Sequence, residues 1–417
     1  MKLLIYSHSF APSIGGVETY VMLLARGLAD RTVGVTLVTP TPADGMDDTG
    51  LPFRVLRRPT SRLLLRQLRA ADVVHIAGPC LLPMLLGLAF RKPVVIEHHG
   101  YQAVCPNGLL FYEPTHTACP THFLEKRYSK CLRCNATNSS YLRSLVKLLL
   151  TFIRRQACKM VRLNAPISHH LNSRLGLPGS RVIYYGICDP LKGTKSLDKE
   201  RCEFFLPLTF AYVGRLVNEK GLPVLLQAVR QLKGAGYQFR LKIVGDGPER
   251  SNLEEMATAL GLRDCISFTG QLQGDALQTA LGDVSVVVMA TLMEETAGLA
   301  AIEQMMRGRL VIASDIGGLA EVVNGVGLKF AAGDTAGLTS CLQGVLDEPG
   351  LVGVLGSKAR QRALGLFLQQ RMIAEHLAVY RELLADSDPS ILASCPSSIG
   401  AGDRETVGED HGVPKCT

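Results

Sequence analysis

Short apolar runs alternate with helical patterns through most of the chain, and this alternation limits the possible folds more than any other feature. Lys2–Tyr6, Gly34–Thr39, Phe53–Leu56, Val73–Ile76 and Val94–Glu97 read as strands in the first part. Phe210–Val213, Phe239–Val244, Ile266–Thr269, Val284–Met289 and Leu310–Ala313 read as strands further on. Between the first two runs, Val17–Leu28 places Val21, Leu24 and Leu28 at helical spacing. Further helices are expected at 221–234, 250–260, 274–281 and 298–307. Strands that alternate with helices imply parallel sheets covered on both faces. At 417 residues the chain is long enough for two cores. The expected fold is therefore α/β: two Rossmann-like, doubly wound domains facing a cleft. Ligands would bind outside the carboxyl ends of the strands.

The expected first domain spans 1–190 and carries a Cys-rich insert at 101–140. A linker is expected at 191–206, a second domain at 207–364, a last helix at 365–385 and a disordered tail at 386–417. The uncharged run Val73–Phe90 is long enough to suggest a membrane span. Its Gly78, Pro79, Pro83 and Gly87 favour strand, loop and buried helix instead. The amino terminus is too short in apolar residues for a signal peptide and suits a buried first strand, so a cytoplasmic protein is expected.

Charge is uneven. Residues 1–190 hold 23 Lys/Arg against 10 Asp/Glu, a net +13, and the remainder is net −5. The basic half points to an anionic partner. Basic motifs interleaved with aromatics are lacking, which argues against nucleic acid. The basic, apolar helix at 144–161 suits an anionic membrane surface. With an intracellular setting, the twelve cysteines would be buried thiols or metal ligands. Cys105, Cys119, Cys131 and Cys134 contain one C-x2-C pair and are candidates for a structural zinc site.

The stretch Met293–Ser314 concentrates the candidate chemistry. Glu295 and Glu303 bracket the step Gly298-Leu299. On one helix their spacing is about 12 Å of rise, so the two acids cannot share one small ligand group. A long ligand fits, with phosphate at the helix N-terminus where free N–H groups favour it. A sugar joined to a nucleoside diphosphate has that shape. Arg215 and Lys220 follow the strand ending at Val213 and suit the charge that grows on a departing diphosphate. Gly16 lies in the first strand–helix loop. His99 follows the strand ending at Glu97; of His98 and His99, at most one should face the cleft. Asp246, between two glycines, reads as a turn residue.

Six blocks then carry a resemblance: G-G-V-E-T-Y-V-M-L-L-A-R-G-L-A-D, E-H-H-G, Y-V-G-R-L-V-N-E-K-G, V-G-D-G-P-E-R, E-E-T-A-G-L-A-A-I-E-Q-M and A-S-D-I-G-G-L-A-E-V-V. In this order they resemble the retaining nucleotide-sugar glycosyltransferases of family four, with the GT-B fold. The resemblance implies Gly16 near the donor diphosphate and His99 on the transferred sugar. It implies Arg215 and Lys220 on the diphosphate, Glu295 on a sugar hydroxyl, the Gly298-Leu299 backbone on the phosphates and Glu303 on the ribose. Catalysis would need no cofactor or metal, and the last helix would return to the first domain. The acceptor would be a glycan or lipid-linked molecule of cell-surface polysaccharide or lipopolysaccharide synthesis. Ala297 and Ala320 depart from the family pattern, which usually has an aromatic and a proline there. These departures leave open a non-catalytic nucleotide-sugar-binding subunit, and a nucleotide-sugar epimerase of the same fold is a separate alternative.

Overall fold

The structure, a computed structural model, describes residues 1–13, 15–137, 140–192 and 207–386. The expected linker and tail fall outside these, apart from residues 191, 192 and 386. The first domain places β1 (Lys2–Ser7), α1 (Gly16–Ala29), β2 (Gly34–Thr39), β3 (Arg54–Arg57), α2 (Ser61–Ala70), β4 (Val73–Ala77), α3 (Leu81–Ala89) and β5 (Val94–His98) in succession. The insert follows, with the hairpin β6 (Phe111–Tyr112) and β7 (Thr117–Ala118), then α4 (Tyr128–Ala136). The amphipathic α5 (Tyr141–Met160), β8 (Leu163–Pro166) and the short α6 (His169–Leu175) complete the domain.

The second domain runs β9 (Thr209–Val213), α7 (Leu222–Gly234), β10 (Arg240–Val244), α8 (Arg250–Ala259), β11 (Ile266–Gly270), α9 (Gly274–Ala280) and β12 (Val284–Met289). It continues with α10 (Leu299–Met306), β13 (Leu310–Ser314), α11 (Gly317–Val322), β14 (Leu328–Phe330), α12 (Thr335–Asp347), α13 (Gly350–Leu366) and α14 (Gln369–Ala385).

Each domain has a six-stranded parallel sheet: β3-β2-β1-β4-β5-β8 in the first and β11-β10-β9-β12-β13-β14 in the second. Every residue of β4 and β5 is buried, as expected of central strands covered on both faces. Strand order reverses between β1 and β4, and again between β9 and β12. A crevice opens where neighbouring strands send their loops in opposite directions. The two reversals place the loops after β1, β4, β9 and β12 at ligand-binding positions.

Several elements differ from expectation. The helix expected from Ser144 begins at Tyr141, because Ser140 caps it by accepting from Arg143 N–H. The last helix begins at Gln369, not near 365. Phe367 and Leu368 break it from α13, and their backbone pairs with Ile187: Ile187 N–H donates to Phe367 O at 2.9 Å and Gln369 N–H to Ile187 O at 3.0 Å. The two segments that run between the domains thus lie side by side. Beyond this break α14 packs on α1, where Gln369 Nε2 donates to Leu23 O at 3.0 Å. The insert is also less separate than a lid. Tyr101, Val104, Cys105 and Leu110 are buried in the main core, while Cys131 sits in a satellite cluster with Phe123 and Leu148. No helix among the described residues is long and apolar enough to cross a membrane.

Candidate active site

The loop after β12 carries the candidate acids and meets both domains. Glu295 accepts from Lys220 Nζ at 2.8 Å, and both side chains are mostly buried. Lys220 ends a 3-10 turn, Asn218–Lys220, in the loop after β9. The turn is fixed from the β12 side: Thr291 Oγ1 and Leu292 N–H both donate to Glu219 O, at 3.0 and 2.9 Å. Two reversal loops are therefore one unit, with Lys220 and Glu295 on it. Arg215 lies on the same loop with its carbonyl held by the Tyr212 hydroxyl at 2.8 Å, and its side chain is exposed.

Gly298 caps α10 in the left-handed region (φ 65°), where a Cβ would lie 2.8 Å from Leu319 Cδ1. Glycine permits this turn, which opens the first N–H groups of the helix. The preceding backbone is pressed against α11. Gly318 N–H donates to Glu295 O at 2.6 Å, and a Cβ on Gly318 would lie 2.2 Å from Thr296 O. A side chain there would push the candidate loop out of place. Glu303 is half-buried on α10, and burial pushes its carboxyl above the ordinary range, against the opposing pull of Arg307.

The first domain closes the other side. A Cβ on Gly16 would lie 3.5 Å from Leu299 Cδ2, so the start of α1 faces the start of α10. Thr296 Oγ1 donates to His99 O at 3.1 Å, and Ser168 Oγ donates to Thr296 O at 2.5 Å. His98 and His99 do point opposite ways. His98 is buried and bonds Asn164 Oδ1 at 2.8 Å. His99 stacks on Tyr185, with Nδ1 2.9 Å from its hydroxyl. Its Nε2 has no hydrogen-bond partner, and the ring lines a cavity of about 390 Å³ with His8, Glu18, Gln102 and Arg154. Burial pushes the His99 imidazole down to about 4, so it is neutral near pH 7. Asp246 does form a turn, accepting from Gly247 N–H and pairing with Arg250.

Two acids that sequence reasoning did not assign hold the domains together. Glu294 is buried and pairs with Arg174, and with His170 at 3.0 Å. Glu321 accepts from the His169 and His170 N–H groups at 3.0 and 2.8 Å, and from the Tyr184 hydroxyl at 2.6 Å. A carboxylate at the start of α6 is favoured by the exposed N–H groups there. The Glu-Glu pair before Gly298 is the only local trace of this latch.

The four cysteines of the insert are buried and free. Asn107 lies among them: Cys105 Sγ donates to its Oδ1 at 2.8 Å, and its amide nitrogen reaches Cys134 Sγ at 3.6 Å. Among the described residues, the one group of three potential ligands within 4.8 Å of one another is His75, Glu97 and His376, not these thiols. Burial, and the neighbouring Cys105, Cys119 and Cys134 thiols, push the Cys131 thiol up, so the four sulfurs share one neighbourhood.

The family model "Glycosyltransferase Family 4" matches residues 14–187, and "Glycosyl transferases group 1" matches 207–348. A 2-deoxystreptamine glucosyltransferase of Streptomyces kanamyceticus is 38% identical over 140 residues, 33% of this chain and 36% of the relative. A 2-deoxystreptamine N-acetyl-D-glucosaminyltransferase of Streptomyces fradiae is 26% identical over 397 residues, 84% of this chain and 90% of the relative. The chain thus matches about a third of the length of the first relative and most of the second. Sucrose-phosphate synthase from Thermosynechococcus elongatus superposes with a TM-score of 0.69 at 21% identity, over 92% of this chain and 99% of that one. Anabaena HepE in complex with UDP-glucose superposes at 0.65 and 17% identity, over 94% and 100%. These structural likenesses establish the GT-B fold.

Two outcomes are expected from this geometry. Glu294→Gln should lower unfolding free energy by roughly 2 kcal/mol at pH 7, because it leaves Arg174 without its charge partner. Burial raises the Glu294 carboxyl, but His170 and Arg174 outweigh it, so the net displacement is downward from 4.5. A lowered carboxylate stabilises the fold above its unfolded value and loses that contribution as pH falls. Denaturant curves of the two proteins should therefore draw together as pH falls below the ordinary carboxylate value of 4.5. Separately, because His99 is neutral down to about 4, turnover should show no acid limb near pH 6.5 that vanishes in His99→Gln. Such a limb would show that His99 is protonated in use.

Proposed function

The chain belongs to the glycosyltransferases of family four, and from that premise we propose that it moves a sugar from a nucleoside-diphosphate sugar to a glycan or lipid-linked acceptor, with retention at the anomeric carbon. The observation that carries this reading is the Lys220–Glu295 pair beside the N-terminus of α10, with Gly16 and His99 facing it from the other domain. In it, Arg215 and Lys220 hold the diphosphate and the N–H groups after Gly298 receive its oxygens. Glu303 takes the ribose, Glu295 a sugar hydroxyl, and the neutral His99 another part of the sugar through Nε2. The bond from the anomeric carbon to the departing diphosphate breaks while the acceptor oxygen bonds on the same face. The acceptor's proton passes to an oxygen of the diphosphate. Positive side chains and helix N–H groups favour the charge that accumulates there, and this route uses no metal.

The acceptor side is the cavity lined by His99, Glu18 and Arg154. Arg154 belongs to α5, and its guanidinium donates to Pro79 O at 3.0 Å and Gln102 O at 3.1 Å. The outer face of the same helix exposes Leu142, Val146, Leu149, Ile153 and Met160 beside Arg143, Lys147 and Lys159. A helix of this kind lies in the interface of an anionic bilayer. The reading therefore places the protein peripherally at a membrane, where a lipid-linked acceptor enters beside Arg154. A second acceptor reading is a small aminocyclitol, the acceptor for which the Streptomyces relatives are named. Glu18 in the cavity wall favours a cationic group.

Glu295→Ala should reduce transfer from UDP- or GDP-sugars at least about 100-fold while leaving the circular dichroism unchanged. Proton NMR of the product should show the donor's anomeric configuration. Inversion, or full turnover without Glu295, would overturn the reading. The protein should sediment with phosphatidylglycerol vesicles and not with neutral ones, and replacing Leu142, Leu149 and Lys147 together by Ser should abolish that sedimentation. Undiminished sedimentation would remove α5 from the membrane contact and leave the aminocyclitol reading.

A further inference from the structure

We propose that His75, Glu97 and His376 form a divalent-metal site of zinc type that braces α14 against β4 and β5. This site is separate from the transfer chemistry and does not rest on the function proposed above. All three side chains are fully buried, and their ligand atoms lie within 4.8 Å of one another. Glu97 Oε2 is 3.1 Å from His75 Nε2 and 3.5 Å from His376 Nε2. Tetrahedral zinc with nitrogen and oxygen ligands at about 2.0–2.1 Å has ligand–ligand edges of about 3.3–3.4 Å. The two separations to Glu97 bracket that edge, and the two histidine nitrogens lie within 4.8 Å of each other.

The outer nitrogens are engaged as they are in metal-bound histidines. His376 Nδ1 donates to Met372 O at 2.8 Å, and His75 Nδ1 lies 2.9 Å from the Tyr380 hydroxyl. Such contacts fix ring orientation and leave Nε2 for the metal. Both Nε2 atoms then turn inward, toward the same carboxylate oxygen.

With both rings neutral, this cluster is short of protons. With Nδ1 as its donor, a neutral His376 presents a lone pair at Nε2 toward Glu97 Oε2, so two acceptors face each other. Tyr20 hydroxyl touches both Glu97 Oε2 and His376 Nε2, the latter at 2.9 Å, but has one proton to give. Glu97 Oε1 has no hydrogen-bond partner. His75 Nε2, despite its 3.1 Å approach, does not meet hydrogen-bond geometry with Oε2. Among the described residues, the ion pairs of Glu97 are to these two histidines. A buried carboxylate is expensive unless a cation balances it, and a metal at the shared centre of the three atoms would do so. The Tyr20 hydroxyl stands as a fourth ligand atom. Its ring also packs edge-on against His99, with centroids 4.9 Å apart, so the brace lies one side chain beneath the candidate sugar contact.

The test is metal content of the full chain, purified without chelator, loaded with zinc or cobalt and freed of excess. The insert thiols could bind metal too, so Cys131→Ser/Cys134→Ser is the background. That protein should retain one ion per chain. With cobalt it should show visible tetrahedral bands without strong near-ultraviolet thiolate charge transfer, and His376→Gln on the same background should lose ion and bands together. Absence of metal in the background protein, or equal content with and without His376, would overturn the proposal in favour of a proton-balanced cluster. If His376→Gln does not fold, Tyr380→Phe provides the reading. Loss of an outer partner should weaken metal affinity 10- to 100-fold against a chromophoric chelator, and unchanged affinity would count against the site.

Discussion

The cleft depends on the position of one backbone segment, residues 294–298, which touches four separate parts of the molecule. Gly318 holds it from α11 through Glu295 O, and Thr291 and Leu292 tie its start to the loop after β9. Ser168 and the carbonyl of His99 hold Thr296 from the first domain. Lys220 binds the carboxylate of Glu295. Because these contacts join the two loops at the β9/β12 reversal to the first domain, the groups suited to phosphate and sugar face each other without a dedicated catalytic loop. A shift of this segment would disturb donor groups and domain contact together. It is also where Ala297, buried and small, replaces the family's aromatic.

The sheets were legible because central parallel strands are apolar on both faces; the Val and Ile runs of β4, β5, β12 and β13 admit little else. The helices that escaped notice have physical reasons. In α12 and α13 glycines at 337, 344, 350, 353 and 356 thin the apolar period. In α4 cysteines and basic residues conceal it. The Lys220–Glu295 pair involved residues already marked as donor candidates, since each follows a strand end. Glu294 and Glu321 were not legible in these roles. Their partners lie 120 residues or more away in sequence, and a latch between domains leaves no local spacing.

The cysteine pattern marks a neighbourhood rather than a ligand set. A C-x2-C pair sets two thiols near each other, and the fold brings Cys105 and Cys119 beside them, with Asn107 between Cys105 and Cys134. Conversely His75 and His376 carry no motif at all. Only the return of α14 over α1 sets them around Glu97, which strand β5 had already buried. Helix α14 thus does more than cover apolar surface: through Tyr20 it supports the wall that holds His99.

The central claim is that Met293–Ser314 measures out a nucleoside diphosphate along α10. A crystal structure of the protein with UDP or GDP tests this most directly. The account predicts the diphosphate at the N–H groups after Gly298, with Arg215 and Lys220 on its oxygens and the ribose hydroxyls on Glu303. A nucleotide bound elsewhere in the molecule, or in this cleft with Glu303 turned away from the ribose, would contradict it.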